Sequence, residues 1–248
     1  GSPETFVVFL DGSSSVDFWY TDGVPGTYTL TMSDNGSAPD GSLGIADATR
    51  NVEVLPIPIV ATRFVILDPG SATVDAPKTI TIQAQDDSGN IDTGNNQSVT
   101  LNTTGSATGG GLVTLVNGVG TKNISNIVAQ TITLTLADTA GTGLNVSSSR
   151  NLTFAPGAVA QLALDNPGEM AAGTRQMYTV NRKDQFGNGA VGGLTKVYLY
   201  TASESANAKF YEASSGGSAI TFVDIVEGST STNFWYYDEK AATTTIPV

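Results

Sequence analysis

The chain has 248 residues, with 11 Lys+Arg against 23 Asp+Glu, a formal net charge of −12, and neither Cys nor His. Without Cys there is no disulfide framework or thiol nucleophile, and without His no imidazole base or His-ligated zinc. The acidic balance argues against nucleic acid and anionic membrane surfaces as partners, and no apolar run reaches the roughly 18–20 residues of a membrane-spanning helix.

Taken in chain order, the sequence reads as short strands throughout. Alternating or β-branched runs lie at residues 6–10, 16–22, 26–34, 51–55, 64–68, 78–86, 98–102, 111–117, 131–136, 151–154, 161–165, 176–181, 196–200, 220–226 and 233–238. Residues 131–136 alternate Thr with Ile132, Leu134 and Leu136. That period of two places three aliphatic side chains on one face of a half-buried strand. Gly, Asn, Asp and Ser clusters between the runs favour turns, and no amphipathic helical stretch intervenes. The fold class expected is all-β.

Internal repeats organise these strands. Phe18-Trp19-Tyr20-Thr21-Asp22 recurs 216 positions on as Phe234-Trp235-Tyr236-Tyr237-Asp238, and Thr27–Asp34 recurs 104 positions on as Thr131–Asp138. A second offset of 98 relates Asp68-Pro69-Gly70 to Asn166-Pro167-Gly168, and Asp86–Asn90 to Asp184–Asn188. A repeat of roughly 100 residues with about seven short strands suits an immunoglobulin-like Greek-key sandwich.

Together these residues resemble the bacterial immunoglobulin-like repeats of the invasin and intimin type, and the tandem modules of S-layer and other large surface proteins. The resemblance rests on a strand running into Asp-x-x-Gly-Asn, then a Val-rich strand, an aromatic Phe/Trp-Tyr strand and a Thr-rich strand ending in Asp. It implies tandem sandwiches in a semi-rigid rod. Residues 1–57 form a partial module with the later strands only, 58–155 a complete one, and 156–248 one lacking its last strand, with residues 244–248 inside the counterpart of 131–136. Pro56-Ile57-Pro58 and Ala155-Pro156-Gly157 read as short, stiff linkers. Gly1-Ser2 reads as a cloning scar, so a natural start further upstream is expected.

The functional expectation is a non-catalytic structural segment of a bacterial extracellular surface protein: a stalk, S-layer or filament subunit. Its partners are then neighbouring copies of itself or adjacent modules, with strand complementation between chains as one mode of assembly. The alternatives are a ligand-binding adhesin module recognising host protein or glycan, and an accessory region of a large secreted polysaccharide-degrading enzyme.

Candidate chemistry is sparse. Asp86, Asp87, Asn90 and Asp92 crowd one loop and offer hard oxygens to calcium, the one cofactor the sequence suggests. The competing and favoured reading is an Asx-rich turn with Gly89 at positive φ, since the matching loop at Asp184–Asn188 keeps only one acid. Phe18-Trp19-Tyr20 and Phe234-Trp235-Tyr236 offer stacking platforms for sugars, but alternation makes one face of each core. Adjacent carboxylates such as Asp238-Glu239 point to opposite faces of a strand, so no acid–base pair converges and no catalytic residue is assigned.

Overall fold

The computed structural model describes residues 6–39 and 41–241. All regular structure among them is β, and the chain divides into two compact units, Gly1–Pro58 and Ile59–Val248.

In the N-terminal unit, β1 (Gly26–Met32) and β2 (Ala48–Val54) form one antiparallel hairpin, with Gly26 opposite Val54 and Met32 opposite Ala48. Residues 6–10 and 16–22, expected as strands, are extended but unpaired. A strand persists only where its peptide groups find partners, and here the hairpin offers neither run a ladder. No described residue of this unit is buried.

The larger unit holds two sandwiches, each with its own core. The first uses β3 (Arg63–Ile66), β4 (Ser71–Thr73), β5 (Lys78–Gln85), β6 (Ser98–Thr103), β7 (Gly111–Thr114), β8 (Val119–Ile124), β9 (Thr131–Ala137) and β10 (Ser149–Ala155). One sheet runs β3-β5-β8 and the other β4-β10-β9-β6-β7. The chain crosses between sheets from β5 to β6 and from β7 to β8, which is the Greek-key pattern of an immunoglobulin-like sandwich. A short parallel pairing of β4 with β10 closes the second sheet. Alternation does the sorting: in β9, Ile132, Leu134 and Leu136 meet Ile80, Ile82, Val99, Leu101, Leu152 and Phe154 in the core, while the intervening Thr side chains face out.

The second sandwich uses β11 (Gln161–Leu164), β12 (Thr174–Lys183), β13 (Thr195–Tyr198), β14 (Lys209–Tyr211), β15 (Ala219–Ile220), β16 (Phe222–Ile225) and β17 (Ser231–Asp238). Its large sheet runs β11-β12-β17-β14-β15, and β13 pairs only with β16. Phe234 and Tyr236 of β17 are buried in an aromatic cluster with Phe210 and Tyr178, and Trp235 lies on the other face. Among the described residues there is no counterpart of β9 or β10. The expected strand start at 244–248 lies outside the described residues.

Candidate functional site

The two sandwiches of the larger unit meet at a joint built from the Asp184–Asn188 turn. Chain geometry makes the turn: Asp184 N–H donates to Asn188 O at 2.9 Å, Gly187 N–H donates back to Asp184 O at 3.1 Å, and Gly187 has φ 86. A side chain is disfavoured at that φ, so Gly is required there. Asp184 itself is fully buried. Its Oδ1 accepts the N–H groups of Phe186 and Asn188, both at 2.9 Å, and its Oδ2 accepts Gly157 N–H at 3.0 Å and Asn188 Nδ2 at 2.9 Å. Both carboxylate oxygens are thus satisfied without a cation, as a buried charge must be. Burial by itself pushes the Asp184 carboxyl up, but the Asn188 amide and the N–H groups of Gly157, Asn188 and Phe186 outweigh it and hold the group down at about 2.

Asn188 carries the turn across the joint. Its Oδ1 accepts Ala129 N–H at 2.9 Å, and its Nδ2 donates to Ile127 O at 2.9 Å while also reaching Asp184. Gln185 Nε2 adds a bond to Asp75 Oδ2 at 3.0 Å. The linker is held in the same place, since Val74 N–H donates to Ala155 O at 2.9 Å and Gly157 N–H is fixed by Asp184. A groove of about 490 Å³ beside Gln130, Phe154, Pro156 and Asn188 runs along this joint. Its chemistry is positional: the amide of Asn188 pairs both a donor and an acceptor of the preceding sandwich, so a small displacement in any direction breaks a bond.

The loop singled out for calcium is the same turn one repeat earlier. Asp86 Oδ1 accepts Asn90 N–H at 2.8 Å, Asp86 Oδ2 accepts Asn90 Nδ2 at 2.9 Å, and Gly89 has φ 88. Those Asn90 groups, side chain first, hold the Asp86 carboxyl below its usual value. Asp87 Oδ1 instead accepts Thr62 Oγ1–H at 2.7 Å, and Asp92 turns to Ala61 N–H at 3.0 Å and Gly94 N–H at 3.0 Å. Asp86 and Asn90 thus bond each other while Asp87 and Asp92 aim at separate hydroxyl and backbone donors, and among the described residues no three acidic side chains group as a metal site.

Two residues of this region escape sequence reasoning. Asn188 was visible as a motif position, yet nothing in the sequence says that one copy of the turn is covered and the other open. Arg182, fully buried, has no counterpart charge: 98 positions earlier stands buried Ala84. Its guanidinium donates to Gly193 O, Thr195 Oγ1 (3.1 Å), Val226 O (2.9 Å) and Ser229 O, pinning two loops. The one legible signal was an Arg in an otherwise apolar inward register.

No family model matches the chain, and none of the curated proteins does. Several solved structures are similar over most of its length. The Escherichia coli adhesin FdeC matches at 17% identity over 82% of this chain and 65% of its own, with a TM-score of 0.38. Invasin, a bacterial integrin-binding protein, matches at 16% over 91% of this chain and 43% of its own, at 0.40. Domains 4–9 of the surface layer protein SbsC match at 17% over 90% and 35%, at 0.33. The chain spans less than two thirds of the length of each of these proteins.

Proposed function

We propose that this chain is a non-catalytic structural segment of a bacterial extracellular surface protein, in which tandem sandwiches hold other parts at a set spacing as a stalk, S-layer or filament subunit. The observation that supports it is the Asn188 clasp, which bonds one sandwich to the next on both a donor and an acceptor. A spacer needs joints that resist bending, and the short segment between β10 and β11, backed by side-chain bonds, supplies one. The acidic, Thr- and Ser-rich surface free of Cys fits exposure outside the cell. Small-angle scattering on the wild-type chain and on Asn188→Ala tests the reading. The expected result is a wider distribution of separations between the two sandwiches in the variant alone; identical, broad distributions in both would overturn it.

A second reading, a glycan- or host-binding adhesin module, is favoured by one surface. Tyr198 and Tyr200 project outward beside Phe222, 55%, 63% and 40% exposed, with Lys196 Nζ 3.3 Å from the Phe222 ring centroid. Exposed aromatics of this kind stack on sugar rings. Binding on a glycan array or to host cells that Tyr198→Ala abolishes would favour this reading, and a blank array the spacer.

A further inference from the structure

The β1–β2 hairpin and the β9–β10 hairpin are the same object in two settings. Leu30 faces Arg50, Thr29 faces Asn51 and Tyr28 faces Val52, as Leu134 faces Arg150, Thr133 faces Asn151 and Ile132 faces Leu152. The cross-strand bond repeats as well: Thr29 Oγ1 donates to Asn51 Oδ1 at 2.8 Å, and Thr133 Oγ1 to Asn151 Oδ1 at 3.2 Å. After each first strand an Asp caps the loop, Asp34 Oδ2 accepting Ile45 N–H at 3.1 Å and Asp138 Oδ2 accepting Gly143 N–H at 2.8 Å. In the complete sandwich, β9 pairs with β6, and Ile132, Leu134, Leu152 and Phe154 are buried. In the N-terminal unit the equivalent residues Tyr28, Leu30, Met32, Val52 and Val54 are half-buried or exposed, and none is buried.

The complementary surface lies in the second sandwich. β13 is the counterpart of β6, 98 positions on. It pairs with β16 on one side, where Leu199 N–H donates to Thr221 O at 2.9 Å. In an antiparallel ladder successive residues turn their peptide groups to opposite edges, so those of Tyr198 and Tyr200 face away from β16. Their counterparts Thr100 and Asn102 are opposite Ala137 and Thr135 of β9. Among the described residues no strand lies along this edge of β13.

We infer that the β1–β2 hairpin of one copy docks on the edge of β13 that no described strand covers, in a second copy, taking there the place that β9 and β10 hold in the complete sandwich. β1 supplies main-chain bonds to Tyr198 and Tyr200, and Tyr28, Leu30 and Met32 enter the core between the sheets. The register follows from the repeat: Thr31 opposite Tyr200, as Thr135 is opposite Asn102. Donor and slot sit on different parts of the chain, so the contact is heterologous and propagates head to tail. This inference does not depend on the Asn188 joint.

Sedimentation velocity over a concentration series tests it. The wild-type chain is expected to form species at multiples of 25.5 kDa whose share grows with concentration. Leu30→Asp/Val52→Asp blocks the donor and lies outside both cores, so it cannot unfold either sandwich. Tyr200→Pro removes an edge N–H at the slot, with folding checked by its melting curve. Each variant alone is expected to be monomeric, and a mixture of the two to give a 1:1 dimer and nothing larger. A monomeric wild type overturns the inference, including one whose hairpin amides resist hydrogen exchange because the hairpin has closed on its own chain. Association that survives in the Leu30→Asp/Val52→Asp variant overturns it equally.

Discussion

Asp184 ties a proton equilibrium to the joint. In the unfolded chain an Asp carboxyl titrates near 3.9, whereas in the folded protein it is held down at about 2. A depressed carboxyl adds stability above its unfolded value and loses it as pH falls toward its folded one. Melting temperature of the wild-type chain is therefore expected to fall between about pH 4 and pH 2 more steeply than that of Asp184→Asn, which has no such proton to take up; parallel curves would remove Asp184 from the account. Arg182→Ala strands buried carbonyls of the 193 and 226–229 loops and opens a void. A loss of about 3–5 kcal/mol is expected in the unfolding of the second sandwich, with the first unchanged, read by urea titration with tryptophan fluorescence from Trp235. The loop at Asp86, Asp87, Asn90 and Asp92 gives a contrary expectation. Both carboxylate oxygens of Asp86 and Asp92 and one of Asp87 already accept bonds from protein donors, so millimolar calcium should leave the melting temperature within about 1 °C, while a larger rise would identify a bound ion.

Among elements, the two equivalent hairpins turn burial into a controlled comparison. Leu134→Ala in β9 removes side-chain volume from a closed core and is expected to cost about 2–5 kcal/mol. Leu30→Ala at the matching position of β1 is expected to cost the monomer well under about 1 kcal/mol, because Leu30 is only half-buried and belongs to neither core. Equal effects at low protein concentration would mean that the N-terminal hairpin has a core of its own. The contrast also marks what the sequence could tell. Alternation placed β9, β12, β13 and β17 well, because each has a buried face that the period of two must serve. It misjudged residues 6–10 and 16–22, which have the apolar pattern of strands but no ladder to join. It passed over β4, β8 and β14, which are short or carry Gly and Lys at positions where neighbours, not propensity, decide. At the joint, the Asp-x-x-Gly-Asn turn was legible from its own residues, while the reach of Asn188 to Ala129 and Ile127 depended on a surface 59 residues away.

At the scale of the whole molecule, repetition is the strongest statement the sequence makes. Offsets of 98 and 104 predicted shared architecture, and the strand registers repeat residue for residue where both copies are described. What the repeats could not convey is that equal segments stand in unequal surroundings: one hairpin closed into a sandwich, its twin open. The parallel contact of β4 with β10 gives this inequality a mechanical meaning. Tension along the chain enters the first sandwich through β3, reaches β4 next and leaves at Ala155, the end of β10. Once the load reaches β4 it pulls β4 and β10 in opposite directions along their length and loads their bonds together. The described strands of the second sandwich pair only antiparallel, so among them there is no such parallel pair to load in this way. On the proposed docking, the module that lacks this parallel pair among its described strands is also the one whose sheet a second copy completes.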